Sequence, residues 1–259
     1  MNLNSMAVFC LLAMSLVLPL PAQAQGTNLP SEEEADVAIQ DNAIEALNKM
    51  AAHLRTLERF RLTANVTRDD VLDDGLKAQI GATLTYDVIV PSKLKLDLQS
   101  DEQWRIYYYD GSTVTQYAPT LDLYAVFDAA PTIAETVDLA DEKYGVQLPL
   151  ADLFFWGTPR SNVEGLSVAY FVGEARIDGQ TCDHYAYRAE GADFQVWISK
   201  HGDPLPCKIV ITTTDDPARP EYEATLHWDV EPLLTDSMFS FAPPAGVTKI
   251  EQQQVANSN

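Results

Sequence analysis

The side chains best suited to catalysis or metal binding are few and scattered along this chain. Its four histidines are His53, His184, His201 and His227, and no two have the spacing of a metal-binding pair. Asp183 precedes His184, but neighbouring residues of a strand point to opposite faces, so they cannot form an acid–base dyad. The sequence contains no G-x-S-x-G elbow, no H-E-x-x-H and no glycine-rich phosphate loop. These residue types predict a protein that is not an enzyme and uses neither cofactor nor metal.

Two of the three cysteines, Cys182 and Cys207, could form a disulfide bond, because Cys10 falls in an N-terminal apolar run. An even pair in an exported chain is usually oxidised. A predicted strand over 193–199 runs between them, however, and strands two apart are separated by roughly 9.6 Å. A disulfide tolerates at most about 7 Å between Cα atoms, so the neighbouring strands would have to lean together past Ser199. The sequence leaves both outcomes open, a bond or two small buried thiols.

The N-terminus has the pattern of a secretory signal peptide. Residues 7–20 are an uncharged apolar run, and the small-x-small cleavage site Ala22–Ala24 follows it. The run is shorter than the roughly 20 apolar residues that span a bilayer, which makes a membrane anchor the weaker alternative. We therefore predict a cleaved signal peptide over 1–24, a flexible tail over 25–35 and a periplasmic location.

The charge of the chain excludes several kinds of partner. The formal net charge is −21 at pH 7, which repels the phosphates of nucleic acids and anionic membrane surfaces. The acidic residues are scattered rather than clustered, as on a solvated surface that keeps an exported protein soluble. We expect no nucleic-acid partner and no stable membrane insertion.

The spacing of apolar residues predicts one helix followed by many strands. From Phe60 onward apolar and polar residues alternate, which predicts about eleven antiparallel strands with one covered face. A helical insert over 131–156 interrupts them, with Pro131 placed to open a helix and Gly145 to end it. The preceding helix is predicted from residues that recur every three or four positions, namely Ile39, Ala43, Leu47, Met50, Leu54 and Leu57.

Together these elements predict a mainly β (α+β) fold. We expect a strongly curved antiparallel half-barrel of about eleven strands, wrapped around the long N-terminal helix. It would form a single domain over 36–251, followed by a C-terminal tail over 252–259. One helix cannot fill a wide concave face, so the remaining space is either packed by aromatic side chains or open to a ligand.

The apolar strand faces and the end of the insert supply the candidate ligand contacts. Apolar pockets with few polar groups hold acyl chains, although the apolar face of a strand is more often plain core. Phe154, Phe155 and Trp156 precede Gly157, and we expect them either to gate a cavity mouth or to pack as core. The predicted cavity residues are Leu84, Tyr86, Leu96, Trp104, Ile106, Tyr108, Phe154, Phe155, Trp156, Val168, Tyr170, Phe194, Val196, Leu226 and Trp228.

Three segments of the chain resemble a known family. Asp236–Gly246 resembles the closing F-x-F-x-P-P-x-G segment of the DUF2092 group of predicted periplasmic proteins, within the LolA/LolB/LppX-like superfamily. Phe194–Ile198 and Pro204–Val210 are similar to its W-I…P-L-P-x-K-hydrophobic segment, and Cys182–His184 to its C-x-H strand start. The resemblance implies a half-barrel closed by helices around an apolar cavity, a fold that lipoprotein carriers and lipid binders use. This chain is longer and more acidic than a lipoprotein carrier, so an acyl-type ligand is the better expectation.

These observations favour a periplasmic, non-enzymatic binding protein for an apolar ligand, such as a lipid, an acyl chain or a lipoprotein. The alternative is a protein-interaction or sensor module of an envelope complex, with its concave face filled by its own side chains. A hydrolase is a third interpretation, and it would need a clustered acid–base pair inside the cavity. The expected partner is therefore an apolar small molecule or lipid, or else an envelope protein, and the sequence leaves the oligomeric state open.

Overall fold

The computed structural model describes residues 39–158 and 165–255, all within one compact unit. The predicted signal peptide and N-terminal tail, over 1–35, lie outside the described residues. Within the described ranges the α-helices are α1 (Asp41–Leu54) and α2 (Ile133–Tyr144). The strands are β1 (Arg59–Val71), β2 (Lys77–Ile89), β3 (Lys93–Ser100), β4 (Trp104–Tyr109), β5 (Thr113–Ala118), β6 (Leu123–Asp128), β7 (Val168–Ile177), β8 (Gln180–Ala189), β9 (Ala192–Ser199), β10 (Pro206–Thr213), β11 (Glu221–Asp229) and β12 (Thr248–Ile250).

These strands form one sheet of twelve, in the order β12-β6-β5-β4-β3-β2-β1-β11-β10-β9-β8-β7. Neighbours pair antiparallel, except that β12 runs parallel to β6. Because β7 and β12 lie at opposite edges, the sheet does not close into a barrel. The predicted fold class, an open antiparallel half-barrel with helices, is confirmed. The extra strand, Thr248–Ile250, is too short to show an alternation in the sequence.

Helix α1 covers part of one face of the sheet, which we call the concave face; the opposite face is the convex face. Its buried residues include most of the predicted stripe, from Ala43 to Leu54. Ile39 instead precedes the helix and forms a parallel bridge with Ala169 on the edge strand β7. The hydroxyl of Tyr187 on β8 donates to the Ala43 carbonyl at 2.9 Å, which fixes the start of the helix against the sheet.

The predicted insert folds as α2 and a 3-10 helix at Ala151–Phe154. Thr132 caps α2, since its hydroxyl oxygen accepts from the Glu135 amide at 3.2 Å. Gly145 ends the helix with a φ of 63°, a left-handed conformation that favours glycine, as the sequence predicts. Pro131 precedes the cap instead of opening the helix. The buried face of α2 consists of Ile133, Thr136, Val137 and Ala140.

After β11 the chain crosses the convex face before it forms β12. The ring of Phe241 lies among those of Tyr108, Tyr117 and Tyr124, with centroids 5.4, 5.1 and 5.1 Å away. Phe239 beside it is only 1% exposed. This aromatic cluster covers the convex side of β4, β5 and β6, so that these strands are packed on both faces.

Candidate ligand-binding site on the concave face

Seven of the predicted cavity residues share the concave face with α1. Residues directly opposite one another on antiparallel strands lie on the same face of a sheet. Leu62 lies opposite Tyr86 on one side and Trp228 on the other, and Tyr86 lies opposite Leu96. On β10, Ile209 and Ile211 lie opposite concave-face residues of β11, and on β9 they lie opposite Val196 and Phe194. The seven residues are Leu84, Tyr86, Leu96, Phe194, Val196, Leu226 and Trp228.

The register of β4 reverses the predicted orientation of that strand. Leu96 pairs with Tyr107, so Tyr107 faces the concave side and the residues next to it point away. Alternation identifies the covered face only where the other face is solvated, and Phe241 covers the convex face here. The prediction that these β4 residues face the cavity is therefore wrong, since they lie on the convex face: Trp104, Ile106 and Tyr108.

The register of β7 requires a similar correction. Ala169 pairs with Tyr187, which belongs to the concave face, so the flanking side chains of β7 point to the convex side. Phe171 returns to the concave face, and a bulge between Phe171 and Gly173 then shifts the register. An edge strand with apolar residues on both faces offers no clear alternation to follow. The two residues corrected here are Val168 and Tyr170.

A row of aromatic rings lies on the concave face of β7, β8 and β9, and the sequence analysis identified only Phe194 of this row. Phe171, Tyr185, Tyr187 and Phe194 follow one another with centroid separations of 5.3, 6.5 and 4.9 Å. The aromatic residues two apart on β8 were the signal for this row, since they share a face. Helix α1 contacts this row through the hydrogen bond from the Tyr187 hydroxyl to the Ala43 carbonyl.

A segment that we call the strap, residues 147–156, crosses the concave face. The guanidinium of Arg55, just after α1, donates to the carbonyls of Phe154 and Leu153 at 2.7 and 2.9 Å. The hydroxyl of Tyr86 donates to the Pro149 carbonyl at 2.6 Å. These three hydrogen bonds tie both ends of the strap to α1 and to the floor of the sheet.

The predicted aromatic triplet lies at the C-terminal end of the strap. Phe154 and Phe155 are buried and Trp156 is partly buried, all against the main hydrophobic core. The ring of Phe154 meets that of Tyr86 edge-on, with centroids 5.8 Å apart. The triplet therefore packs as core, and of its three residues Phe154 also lines the adjoining cleft.

The first cleft, which we call the Arg55 cleft, has a volume of about 280 Å³. Arg55 is the only charged residue in its lining, and within the described residues it has no carboxylate partner. Partial burial lowers the pKa of its guanidinium below the usual value. The lining consists of Leu54, Arg55, Leu57, Phe60, Val90, Pro91, Thr132, Ile133, Ala134, Leu153, Phe154 and Trp228.

The second cleft, which we call the Tyr222 cleft, has a volume of about 370 Å³ and lies on the other side of the strap. Its one cation, Arg68, is paired with Asp70 at 2.6 Å and with Glu102 at 2.7 Å. Burial, and secondarily the charge of Asp152, raises the pKa of Tyr222 well above its usual range. The lining consists of Val66, Arg68, Ile80, Ala82, Leu84, Leu98, Ser100, Glu102, Gln103, Gln147, Leu148, Pro149 and Tyr222.

The part of the concave face beneath α2 is filled by the protein itself. The space left there is about 20 Å³, less than a small ligand needs. Its walls are apolar side chains of β3 to β6 and of α2, among them Tyr109, Phe127 and Val137. Two clefts remain open beside the strap, and a third cleft of about 440 Å³ lies along β7, β8 and β9, where Val168, Tyr170 and Phe194 are among its lining residues.

The histidines are spread over separate parts of the fold. His184 stacks on Trp197 with centroids 3.9 Å apart, and its Nε2 lies 2.9 Å from the Gln195 side-chain oxygen. His227 Nε2 lies 3.2 Å from a carboxylate oxygen of Asp178. No group of three His, Cys, Asp or Glu side chains suited to a metal occurs within 39–158 and 165–255.

Replacing Arg55 with Met should loosen the strap while it preserves the aliphatic packing of this side chain. Two carbonyls lose their donor, so we expect amide hydrogen exchange over Leu153–Trp156 to become roughly tenfold faster. Hydrogen-exchange mass spectrometry measures this directly. Tyr187→Phe is the control, because it removes a hydrogen bond to α1 and leaves the strap untouched. Unchanged exchange in Arg55→Met would show that packing alone holds the strap.

The described residues thus form an open half-barrel whose concave face is partly covered by α1 and carries two clefts beside the strap. The chain belongs to the DUF2092 family, described as predicted periplasmic proteins, whose profile matches residues 43–252. This confirms the resemblance noted in the sequence. No curated protein matches the chain. Among the described residues, no helix has the length and apolarity needed to cross a membrane.

Solved structures that align with the chain do so at low identity. An uncharacterized conserved protein from Thermus thermophilus is 13% identical, with 81% of this chain and 99% of that chain covered and a TM-score of 0.44. The lipoprotein LppX of Mycobacterium tuberculosis is 13% identical, with 75% and 99% covered and a TM-score of 0.43. A LolA superfamily protein from Nitrosomonas europaea is 9% identical, with 77% and 97% covered and a TM-score of 0.38.

Proposed function

We propose that this chain is a non-enzymatic binding protein of the periplasm that holds an apolar ligand against its concave face. The observation that carries the proposal is the strap, which divides an apolar concave face into two clefts. A lipid, a free acyl chain or the acyl part of a lipoprotein has the chemistry to fill such clefts.

Each cleft by itself is small for a ligand, so we infer that the strap moves when a ligand binds. At about 280 and 370 Å³, each cleft lies near the lower end of the roughly 300–1,000 Å³ typical of ligand pockets. Leu153 and Phe154 line one cleft, and Leu148 and Pro149 line the other. Displacement of the strap would therefore join the two clefts into one largely apolar groove.

The periplasmic location rests on the predicted signal peptide and on the family description. We propose that residues 1–24 are removed on export, that 25–35 form a flexible tail and that 36–251 form the single ligand-holding domain. The signal segment carries no charged residue, so the exported protein keeps the full net charge of −21.

Native mass spectrometry of protein purified from the periplasm, combined with lipid extraction, tests the location and the ligand together. We expect the mass of a mature chain that begins near Gln25, together with a second species heavier by the mass of an extracted, non-covalently bound lipid. A ligand-free protein that also fails to bind the neutral apolar dye N-phenylnaphthylamine would contradict the ligand-binding proposal.

A protein-interaction or sensor module remains the second candidate, because the edge strand β7 exposes apolar side chains. Tyr170, Phe171 and Val172 are 41%, 39% and 48% exposed. An edge strand presents backbone groups that can pair with another chain. The filled space beneath α2 also fits this candidate. A ligand-free protein whose native mass includes a second polypeptide would favour it over the carrier.

A further inference from the structure

The hydroxyl of Tyr222 is not explained by a purely apolar ligand. The ring of Tyr222 lies on the concave face of β11 and lines the Tyr222 cleft. Its Oη is buried and has no hydrogen-bond partner among the described residues. A buried hydroxyl without a partner costs free energy, so such a group calls for a specific cause.

Other buried tyrosines of the same sheet have satisfied hydroxyls. Tyr86 donates to the Pro149 carbonyl at 2.6 Å, Tyr109 to that of Ala130 at 2.7 Å, and Tyr187 to that of Ala43 at 2.9 Å. Phenylalanine at position 222 would supply the same ring without the cost of burying a hydroxyl. The hydroxyl of Tyr222 therefore points to a partner that the described residues do not supply.

The charges around the cleft define what that partner can be. Burial and Asp152 keep the Tyr222 phenol protonated, so it acts as a hydrogen-bond donor. Arg68, the one cation of the lining, is already paired with Asp70 and Glu102. An anionic head group would find no free positive charge in this cleft and would face the charge of Glu102. A neutral oxygen that accepts a hydrogen bond suits this cleft, because it can pair with the phenol donor and needs no positive charge.

We propose that the Tyr222 cleft binds a neutral acyl ester, whose carbonyl oxygen accepts a hydrogen bond from the Tyr222 hydroxyl. This rests on the proposed binding of an apolar ligand and adds its polar group. The acyl chain lies along Val66, Leu84 and Leu98, which form the apolar floor of the cleft. The strap residue Pro149 is held by Tyr86, and its displacement gives the ester access to the buried hydroxyl.

Dye displacement with the Tyr222→Phe variant tests this. N-phenylnaphthylamine is bound to the mature protein and displaced with methyl laurate, a neutral ester, or with dodecane, which has no acceptor. We expect Tyr222→Phe to weaken the competition by methyl laurate about fivefold and to leave that by dodecane unchanged. The midpoint temperature of unfolding should stay the same or rise, because the variant removes a buried unpartnered hydroxyl.

Tyr187→Phe is the matched control and should show the opposite pattern. It removes a satisfied hydroxyl outside both clefts, so the midpoint temperature should fall by about 2–4 °C while methyl laurate competes as before. If methyl laurate and dodecane both compete but Tyr222→Phe changes neither, the ester inference is overturned and the apolar-ligand proposal stands. If neither compound displaces the dye from the unmodified protein, both proposals fail.

Discussion

Phe154→Ala is expected to lower the free energy of unfolding by about 4 kcal/mol, a large part of the roughly 5–15 kcal/mol that stabilises a typical domain. Phe154 is buried in the main core and packs edge-on against Tyr86. Its truncation removes apolar contacts and leaves a cavity that the tied strap cannot close, because Arg55 still holds the adjacent carbonyls. Denaturant unfolding measures the loss.

The same substitution should strengthen the binding of an apolar probe. Phe154 lines the Arg55 cleft, so its removal enlarges an apolar space that is already open to solvent. We expect N-phenylnaphthylamine to bind more tightly to Phe154→Ala than to the unmodified protein, and to recover part of the lost stability by mass action. A loss of stability without any gain in dye binding would mean that Phe154 is plain core and has no part in the ligand site.

Two further variants separate packing from nonspecific damage. Phe154→Leu keeps most of the volume and should cost only about 1 kcal/mol. Leu233 is 96% exposed, so Leu233→Ala should stay within about 0.5 kcal/mol of the unmodified protein. A large effect of Leu233→Ala would point to a change in the unfolded or aggregated state instead of in the native core.

The sequence sufficed to predict the half-barrel because most strands keep one solvated face. On β1, Phe60, Leu62, Ala64 and Val66 are buried and the residues between them are less so, which is the pattern that alternation describes. The end of α2 was equally predictable, because Gly145 occupies a left-handed position that a side chain would strain. In both cases a local pattern reports directly on the local environment.

The face of β4 could not be predicted for a physical reason. Its convex side is covered by Phe241, more than a hundred residues away in the sequence, so apolar residues occupy both faces. Tyr107 and Tyr108 then carry the same local signal although they point in opposite directions. Only the pairing with β3 decides between them, and pairing depends on contacts between distant segments.

The two clefts also could not be predicted from the sequence. Arg55 donates to carbonyls that lie 98 and 99 residues further along the chain. Such backbone acceptors carry no signature in the residue types, so the strap could be foreseen only as an apolar segment. Tyr222 likewise looks like any strand tyrosine until the neighbours of its hydroxyl are known.

The disulfide between Cys182 and Cys207 should contribute about 3 kcal/mol to the stability of the oxidised protein. The structure joins the two residues with Cα atoms 6.9 Å apart, within the limit of about 7 Å. The strand between them, β9, ends at Ser199, and the register of β10 shifts between Pro206 and Lys208. Cys207 therefore sits in a bulge beside Ile198, and Cys182 lies opposite Ser199, so the bond crosses β9 at its last residues.

The expected contribution of the disulfide to the free energy of unfolding follows from the length of the loop that the bond closes. A sequence separation of 25 residues corresponds to about 3 kcal/mol in the chain-entropy treatment, because the bond restricts the unfolded chain. The double variant Cys182→Ala, Cys207→Ala should therefore have its unfolding midpoint at a lower denaturant concentration. Both cysteines are buried, so small apolar replacements keep the native packing largely intact.

Alkylation of the unreduced, denatured mature protein provides the direct measurement. With the bond formed, no thiol is labelled until a reductant is added, and two are labelled afterwards. Reduction alone should then reproduce the loss of stability seen in the double variant, since both act on the unfolded chain. Two labelled thiols before reduction would rule the bond out, and Cys182 and Cys207 would then stabilise the fold only as small buried apolar side chains.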